Sequence, residues 1–147
     1  MEDKQHVTIL LVEDDPGHAV LIGKILRRAG IANDIVSVND GQKAVDFLLK
    51  QKVYEHNTLT DPLLILLDLN LPVLDGYQVL KIIKKDERTK RIPVVMLTTT
   101  DNPGEVARCY ELGCSVYITK PVDYEAFSQA IQRLGLLLSI IKVPEKE

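Results

Sequence analysis

Four short apolar runs in this chain each end in polar side chains that could take part in phosphate chemistry. Each run is rich in Val, Ile and Leu with almost no alternation, which is typical of strands buried on both faces of a parallel sheet. The carboxyl ends of parallel strands share one edge of the sheet, where ligands bind. The runs are Val7–Asp15, Leu63–Asp68, Val94–Thr98 and Val116–Lys120. The sequence therefore predicts one pocket formed by the side chains at their ends.

Carboxylates dominate the predicted pocket. Glu13, Asp14 and Asp68 would repel one another and need a compensating cation, and oxygen ligands at this density favour Mg²⁺ over zinc or copper. A carboxylate can also be a nucleophile that forms an aspartyl-phosphate, and Asp68, after the central apolar run, is the best candidate. Lys120 would offer a mobile positive charge to a phosphoryl oxygen. Thr98 would donate a hydroxyl to another.

Each of these side chains also has an ordinary structural explanation when it is taken alone. Asp14 or Asp15 could cap the first helix, and Asp68 could end its strand as a turn former. Thr98 is one of three consecutive threonines on a β-favouring surface. The phosphate interpretation depends on the joint pattern, because all of these residues follow strands that line one edge.

The segments between the apolar runs have helical spacing. Asp15 and Pro16 predict a helix start, since a capping carboxylate precedes proline at the first helical position, and Gly30 ends that helix. A short strand is predicted at Ile35–Val38, and an exposed loop at Gln51–Asp61. Further helices are predicted after Gly41, after Gly76, near Pro103–Leu112 and after Pro121, the last with Phe127, Ile131, Leu134, Leu138 and Ile141. This five-fold alternation of strands and helices predicts a doubly wound α/β sandwich.

Length and composition restrict the class of protein. The 147 residues fit one domain, and 46% hydrophobic with 27% charged residues is a globular composition. A formal net charge of −3 gives no basic excess for nucleic-acid binding. The polar start does not have the layout of a signal peptide, and no apolar run reaches membrane-spanning length. We therefore expect a soluble, cytoplasmic protein that binds neither nucleic acid nor membrane.

Four motifs at matching spacing resemble the receiver domain of two-component response regulators, the family of the bacterial chemotaxis regulator. They are LLVEDD at Leu10–Asp15, LLDLNLPVLDG at Leu66–Gly76, VVMLTTT at Val94–Thr100 and GCSVYITKP at Gly113–Pro121. The resemblance implies a flavodoxin-like fold, a doubly wound five-stranded parallel sheet with five helices and strand order 2-1-3-4-5. It also implies one receiver domain over residues 6–142, with no separate effector domain.

The resemblance assigns a role to each matching position. Asp68 matches the phosphoacceptor, Asp14 the direct Mg²⁺ ligand, and Glu13 a ligand that acts through water. Asn70 matches the residue whose backbone carbonyl completes the metal shell. Thr98 and Lys120 match the groups that contact the phosphoryl oxygens. Tyr117 matches a switch aromatic that turns inward when Thr98 moves, and Pro121 implies a cis bond that aims the lysine.

Two departures from the chemotaxis regulator refine the resemblance. The acidic pair is Glu-Asp rather than Asp-Asp. One of the two carboxylate side chains is therefore longer, which is compatible with a metal site. The long Gln51–Asp61 loop, with the segment TTTDNPGEVARCYELG, is similar to single-domain regulators that serve phytochrome-type histidine kinases. The implied partner is therefore a histidine kinase of that type. The implied output is by contact with other proteins, with a homodimer through the fourth helix, fifth strand and fifth helix. The apolar residues at the end of the last helix fit such an interface and a buried helix end equally well.

Two rival functions remain open from the residues. An aspartyl phosphatase on a similar sheet would normally carry a second acid two residues after its nucleophile, where this chain has Asn70, which cannot protonate a leaving group. A degenerate receiver that only binds partners would not need every phosphate-handling position filled. We expect a phosphoacceptor with slow self-hydrolysis, not an enzyme that turns over an external substrate.

Overall fold

The computed structural model describes residues 8–28, 30–49, 63–99, 102–120, 125–126, 128–130 and 132–133. Strands and helices alternate along the chain. The strands are β1 Thr8–Val12, β2 Ile35–Val38, β3 Leu63–Leu67, β4 Val94–Thr98 and β5 Val116–Thr119. The helices are α1 Pro16–Arg28, α2 Gly41–Leu49, α3 Gly76–Lys85 and α4 Pro103–Leu112, and a fifth, α5, includes the helical residues 125–126, 128–130 and 132–133.

The five strands form one parallel sheet in the order β2-β1-β3-β4-β5. This is the flavodoxin-like doubly wound order, and the prediction of the fold class is confirmed. Val12, the last residue of β1, is in register with Leu67 of β3 and with Val38 of β2. The carboxyl ends of these strands therefore lie side by side, and the residue after β3 emerges at the middle of the edge.

Two apolar clusters explain why the inner strands show no alternation. In β1, Leu10 and Val12 face one cluster, while Ile9 and Leu11 face the other. One cluster is completed by α2, α3 and α4, through residues such as Ala44, Leu48, Val79, Leu80, Ile83 and Cys109. The other is completed by α1, through Ile22, Ile25 and Leu26. Burying one such large side chain contributes about 1.5–3 kcal/mol, so both layers hold the sheet edge in place.

The prediction of burial on both faces is wrong for the run that ends at Lys120. All four residues of β5 are only half-buried. This strand lies at the edge of the sheet and pairs on one side alone, with β4. An apolar run without alternation does not by itself distinguish an edge strand from a central one.

The predicted ends of α1 are confirmed. The Asp15 carboxylate accepts hydrogen bonds from the backbone N–H groups of Gly17 at 2.8 Å and His18 at 3.1 Å, which makes Asp15 the cap. At the other end Gly30 has φ +90°, and Ile31 N–H donates to the carbonyl of Leu26 at 3.0 Å. Only glycine adopts this left-handed conformation without strain.

Both cysteines are buried free thiols near the end of α4. The N–H of Cys114 donates to the carbonyl of Cys109 at 3.0 Å, beyond the left-handed Gly113 that ends the helix. Burial is the main cause that raises the pKa of the Cys109 thiol to about 11, and the neighbouring Cys114 adds to the rise. This thiol is therefore a packing residue with little thiolate character.

Several sequence predictions concern residues outside the described ranges. These are the Gln51–Asp61 loop, the bond to Pro121 and the apolar end of the last helix after residue 133. In the described part of the chain, no helix combines the length and the apolar composition that a bilayer crossing requires.

Candidate functional site

Two consecutive acids leave the carboxyl end of β1. The N–H of Glu13 donates to the carbonyl of Val38 at 3.1 Å, so the residue after β1 is still held by β2. Glu13 is buried and Asp14 is exposed. The chain thus turns one carboxylate into the protein and the other toward solvent at the same edge.

Asp68 follows β3 at the centre of that edge and is 6% exposed. Its N–H donates to the carbonyl of Val12 at 3.1 Å. The following loop folds back tightly, with Gly76 N–H donating to the carbonyl of Leu69 at 2.8 Å. Within the loop, the N–H of Asn70 points at Asp68 Oδ1 at 3.4 Å. The backbone on both sides of Asp68 therefore fixes its carboxylate.

The three predicted metal-site acids converge. Carboxylate oxygens of Glu13, Asp14 and Asp68 all lie within 4.8 Å of one another. The set consists of hard oxygen donors, which suit Mg²⁺ or Mn²⁺ and not softer metals. Asp14 is exposed, so solvent reaches this side of the cluster. That leaves room for the waters that magnesium usually keeps and for the phosphate oxygens that it binds. The residues present therefore fit a divalent cation.

Lys120 brings one positive charge to the acids from the end of β5. Its N–H donates to the carbonyl of Thr98 at 2.6 Å. Its side chain is only 5% exposed, and its ammonium donates to Glu13 Oε1 and lies 3.4 Å from Asp68 Oδ2. A buried ammonium of this kind is stable only with such partners.

Three carboxylates form this cluster, and the ammonium of Lys120 pairs with two of them. Burial raises the pKa of Glu13 above its usual value, and the hydrogen bond and charge of Lys120 offset that effect only in part. Asp68 adds to the rise through like-charge repulsion. Holding Glu13 ionised therefore costs free energy, and a bound cation would lower this cost.

Thr98 is fully buried at the end of β4, beside β3 and β5. Its hydroxyl oxygen has no hydrogen-bond partner among the residues that the structure describes. A buried hydroxyl without a partner is uncommon and destabilising. The group is thus available to a ligand that arrives at the sheet edge.

Tyr117 lies in β5, half-buried, and packs against the cluster that α2, α3 and α4 complete. Its backbone N–H donates to the hydroxyl of Tyr110 on α4 at 3.1 Å. Tyr110 is 48% exposed. This contact, which the sequence pattern does not predict, links α4 to the edge strand.

His18 also reaches the cluster from the first turn of α1. Its Nδ1 lies 3.5 Å from the Lys120 ammonium and 3.9 Å from Glu13 Oε2. In the sequence, only the position of His18 indicates that it lies near the site, because it follows the cap of a helix that starts at the predicted pocket.

A comparison with protein families identifies this arrangement. Residues 9–132 match the family model of the response regulator receiver domain. The chain belongs to this family. The acidic cluster, the buried Lys120 and the doubly wound sheet are therefore those of a receiver domain in a two-component system.

Known receivers similar to this chain include a cyanobacterial regulator. Response regulator Rcp1 from Synechocystis sp. is 41% identical over 124 residues, which cover 84% of this chain and 83% of Rcp1. A crystal structure of the Mn²⁺-bound form of Rcp1 superposes with a TM-score of 0.82 at 38% identity, covering 93% of this chain and 98% of that one. Manganese binding is thus a property of a similar receiver.

Two further solved structures are similar over nearly the whole chain. A receiver domain from Rhodospirillum rubrum has a TM-score of 0.88 and 49% identity, covering 95% of this chain and 99% of that one. The phosphorylated cyanobacterial phytochrome response regulator RcpA has a TM-score of 0.84 and 37% identity, with the same coverage. The sequence-based resemblance to receivers and to phytochrome response regulators is confirmed.

Proposed function

We propose that the protein accepts a phosphoryl group from a histidine kinase on Asp68 and passes the signal on by a conformational change. The observation that carries the proposal is the convergence on Asp68 of two further acids and one buried ammonium. We further propose that residues 6–142 form the receiver unit. The expectation of a cytoplasmic protein stays a prediction.

The group transfer requires little covalent chemistry from the protein. An Asp68 oxygen bonds to phosphorus as the bond from phosphorus to the kinase imidazole nitrogen breaks. Lys120 lies 3.4 Å from Asp68 Oδ2, where it can neutralise charge on the transferring group. The hydroxyl of Thr98, for which the described residues offer no hydrogen-bond partner, donates to a phosphoryl oxygen. Positioning and charge stabilisation then supply most of the rate enhancement.

In this proposal the metal is Mg²⁺. Asp14 and Asp68 would be direct ligands, Glu13 would act through water, and Asn70 would contribute its backbone carbonyl. Bound Mg²⁺ would neutralise negative charge on the phosphoryl oxygens. The cluster of oxygen donors supports this assignment, as does the Mn²⁺-bound form of the similar Rcp1.

The output in this proposal starts at Thr98. Its hydroxyl moves toward the phosphoryl group, and Tyr117 changes rotamer into the space beside it. The surface of α4, β5 and α5 then changes and forms the homodimer contact. The half-buried strand β5 and the exposed Tyr110 support an interface here. A mass in sedimentation equilibrium that stays monomeric with and without phosphodonor would contradict the dimer.

The partner we propose is a phytochrome-type histidine kinase. The support is the similarity to RcpA and to the bacteriophytochrome response regulator AtBRR, which is 39% identical with a TM-score of 0.70. We propose no turnover of an external substrate, and the phosphoryl group leaves Asp68 by slow hydrolysis.

Phosphorylation of an Asp68→Asn variant tests the proposed function. We expect Mg²⁺-dependent labelling of the wild-type protein by acetyl phosphate or a phosphorylated kinase, and none of the variant, because an amide is not a nucleophile here. Asp75→Asn is the matched control, since Asp75 caps α3 in the same loop and asparagine caps equally well. Labelling is measured by intact-protein mass spectrometry.

The alternatives give different results in the same assay. Rapid release of inorganic phosphate without accumulation of labelled protein would indicate a phosphatase. A complete absence of label on the wild-type protein would indicate a binding module. Labelling of Asp68→Asn at the wild-type level would contradict the assignment of Asp68.

A pair of Thr98 variants separates stability from function. Thr98→Val removes a buried hydroxyl without a partner and keeps the volume, so we expect the free energy of unfolding to rise by about 1 kcal/mol while phosphorylation slows. Thr98→Ser keeps the hydroxyl and loses a methyl group, so we expect a fall of about 1 kcal/mol with near-normal phosphorylation. Urea denaturation and labelling rates measure both. A Val variant less stable than the Ser variant would contradict this account.

A further inference from the structure

Among the described residues, three side-chain atoms lie within hydrogen-bond distance of the Lys120 ammonium, which has three N–H donors. These atoms are Glu13 Oε1, Asp68 Oδ2 at 3.4 Å and His18 Nδ1 at 3.5 Å. They come from three different places, the end of β1, the end of β3 and the first turn of α1. The position of the ammonium is therefore set from three directions.

We propose that His18 is a positioning residue for phosphorylation, which holds the Lys120 ammonium at Asp68. This inference rests on the proposed function, since it concerns the same site. It adds a helix residue to the group of side chains that the acidic cluster and Lys120 form. His18 touches neither the phosphoryl group nor the metal in this proposal and acts through Lys120.

The chemistry of the contact assigns the imidazole tautomer. An ammonium can only donate, so in this proposal His18 Nδ1 accepts and the ring proton lies on Nε2. The Glu13 and Asp15 carboxylates are each 3.9 Å from the same nitrogen, beyond hydrogen-bond distance. Lys120 is therefore the nearest partner of Nδ1 among these three charged groups.

The backbone of α1 holds His18 in this place. Its N–H donates to the capping carboxylate of Asp15 at 3.1 Å, and the Asp15 N–H in turn donates to Glu13 Oε2 at 3.2 Å. The cap of the helix is thus tied to the acidic cluster. This short chain of hydrogen bonds helps to fix the backbone position from which the imidazole reaches Lys120.

His18 differs from the other two acceptors in what else it must do. Glu13 and Asp68 both belong to the cluster proposed to hold the metal, whereas His18 does not. Its contact with Lys120 does not compete with metal binding. An acceptor outside the cluster keeps the ammonium in place while the carboxylates take part in ligation and transfer.

The kinetic test compares three variants by their rates of phosphorylation with acetyl phosphate and Mg²⁺. We expect His18→Ala to lower the maximal rate about tenfold, the effect of one hydrogen bond to a charged group, with unchanged half-saturation for the donor. His18→Gln offers a carbonyl acceptor and should restore most of the rate. Lys24→Ala, an exposed residue on α1, should match the wild type. A His18→Ala rate within twofold of the wild type, or no rescue by glutamine, would overturn the proposal.

A spectroscopic test uses the protein without metal or donor. The ¹⁵N shifts of the His18 imidazole should show the proton on Nε2, and Lys120→Met should remove this preference. A proton on Nδ1 in the wild-type protein would overturn the proposal. This readout also separates the two hypotheses, because a wild-type protein that is never phosphorylated refutes the proposed function, while the imidazole shifts still report whether His18 and Lys120 are in contact.

Discussion

Replacement of Lys120 by methionine is expected to destabilise the fold and to slow phosphorylation. The change keeps the apolar stem but leaves the carboxylates of Glu13 and Asp68 without their cation, and these side chains are 2% and 8% exposed. Removing one partner of a buried ion pair costs about 3–5 kcal/mol. Loss of a charge-stabilising donor at a reacting group typically lowers the rate about 100-fold or more. Urea denaturation and labelling kinetics measure the two effects.

Lys84 provides a matched control for this change. Its ammonium is also partly buried, with its pKa lowered by burial, but it donates to the backbone carbonyls of Lys90 and Ile92 and not to an acid. We expect Lys84→Met to cost about 1–3 kcal/mol through those hydrogen bonds and to leave phosphorylation unchanged. A Lys120→Met protein as stable as the wild type would show that the buried acids do not depend on the ammonium.

Replacement of Gly76 by alanine is the second change with a large expected effect. A Cβ at this position would lie 2.4 Å from the carbonyl oxygen of Asp68 and 2.6 Å from Cα of Leu69. Both are backbone atoms of the loop that carries the phosphoacceptor, so the loop or the start of α3 must move. We expect a loss of about 3 kcal/mol of stability and slower phosphorylation, because Asp68 would no longer be held beside Lys120.

Gly23 is the control glycine. It lies inside α1, where a Cβ would meet nothing within 4 Å apart from its chain neighbours and the backbone of the helix itself. Gly23→Ala should therefore stabilise the protein by about 0.5–1 kcal/mol, since alanine loses less entropy in a helix. Equal stabilities of the two alanine variants in thermal denaturation would contradict the packing argument at Gly76.

The sequence predicts much of the site because chemistry and periodicity coincide at the strand ends. Asp68 could be placed at the centre of the sheet edge, since the run before it is the most uniformly apolar and central in chain order. The role of Asp15 as a helix cap could be distinguished from the roles of Glu13 and Asp14, because Pro16 follows Asp15 at the first position of a helix. The order of the strands came from the family resemblance, and the periodicity alone allowed other orders.

The contacts that the sequence did not predict depend on distances between elements. The approach of His18 to Lys120 joins residues 102 positions apart and depends on the rotation of α1 about its axis. The hydrogen bond from Tyr117 to the hydroxyl of Tyr110 depends on how α4 crosses the edge strand. Periodicity assigns a residue to a face of a helix, but it does not determine which side chain comes within 3–4 Å of another element.

A crystal structure of the protein with Mn²⁺ and beryllofluoride, which mimics a phosphoryl group, tests the central claim most directly. Our account predicts beryllofluoride on the Asp68 carboxylate and the metal on Asp14 and Asp68. It also predicts Thr98 Oγ1 and Lys120 Nζ within hydrogen-bond distance of the fluorine atoms. Beryllofluoride bound at another residue, or a metal that does not contact Asp14 and Asp68, would contradict the account.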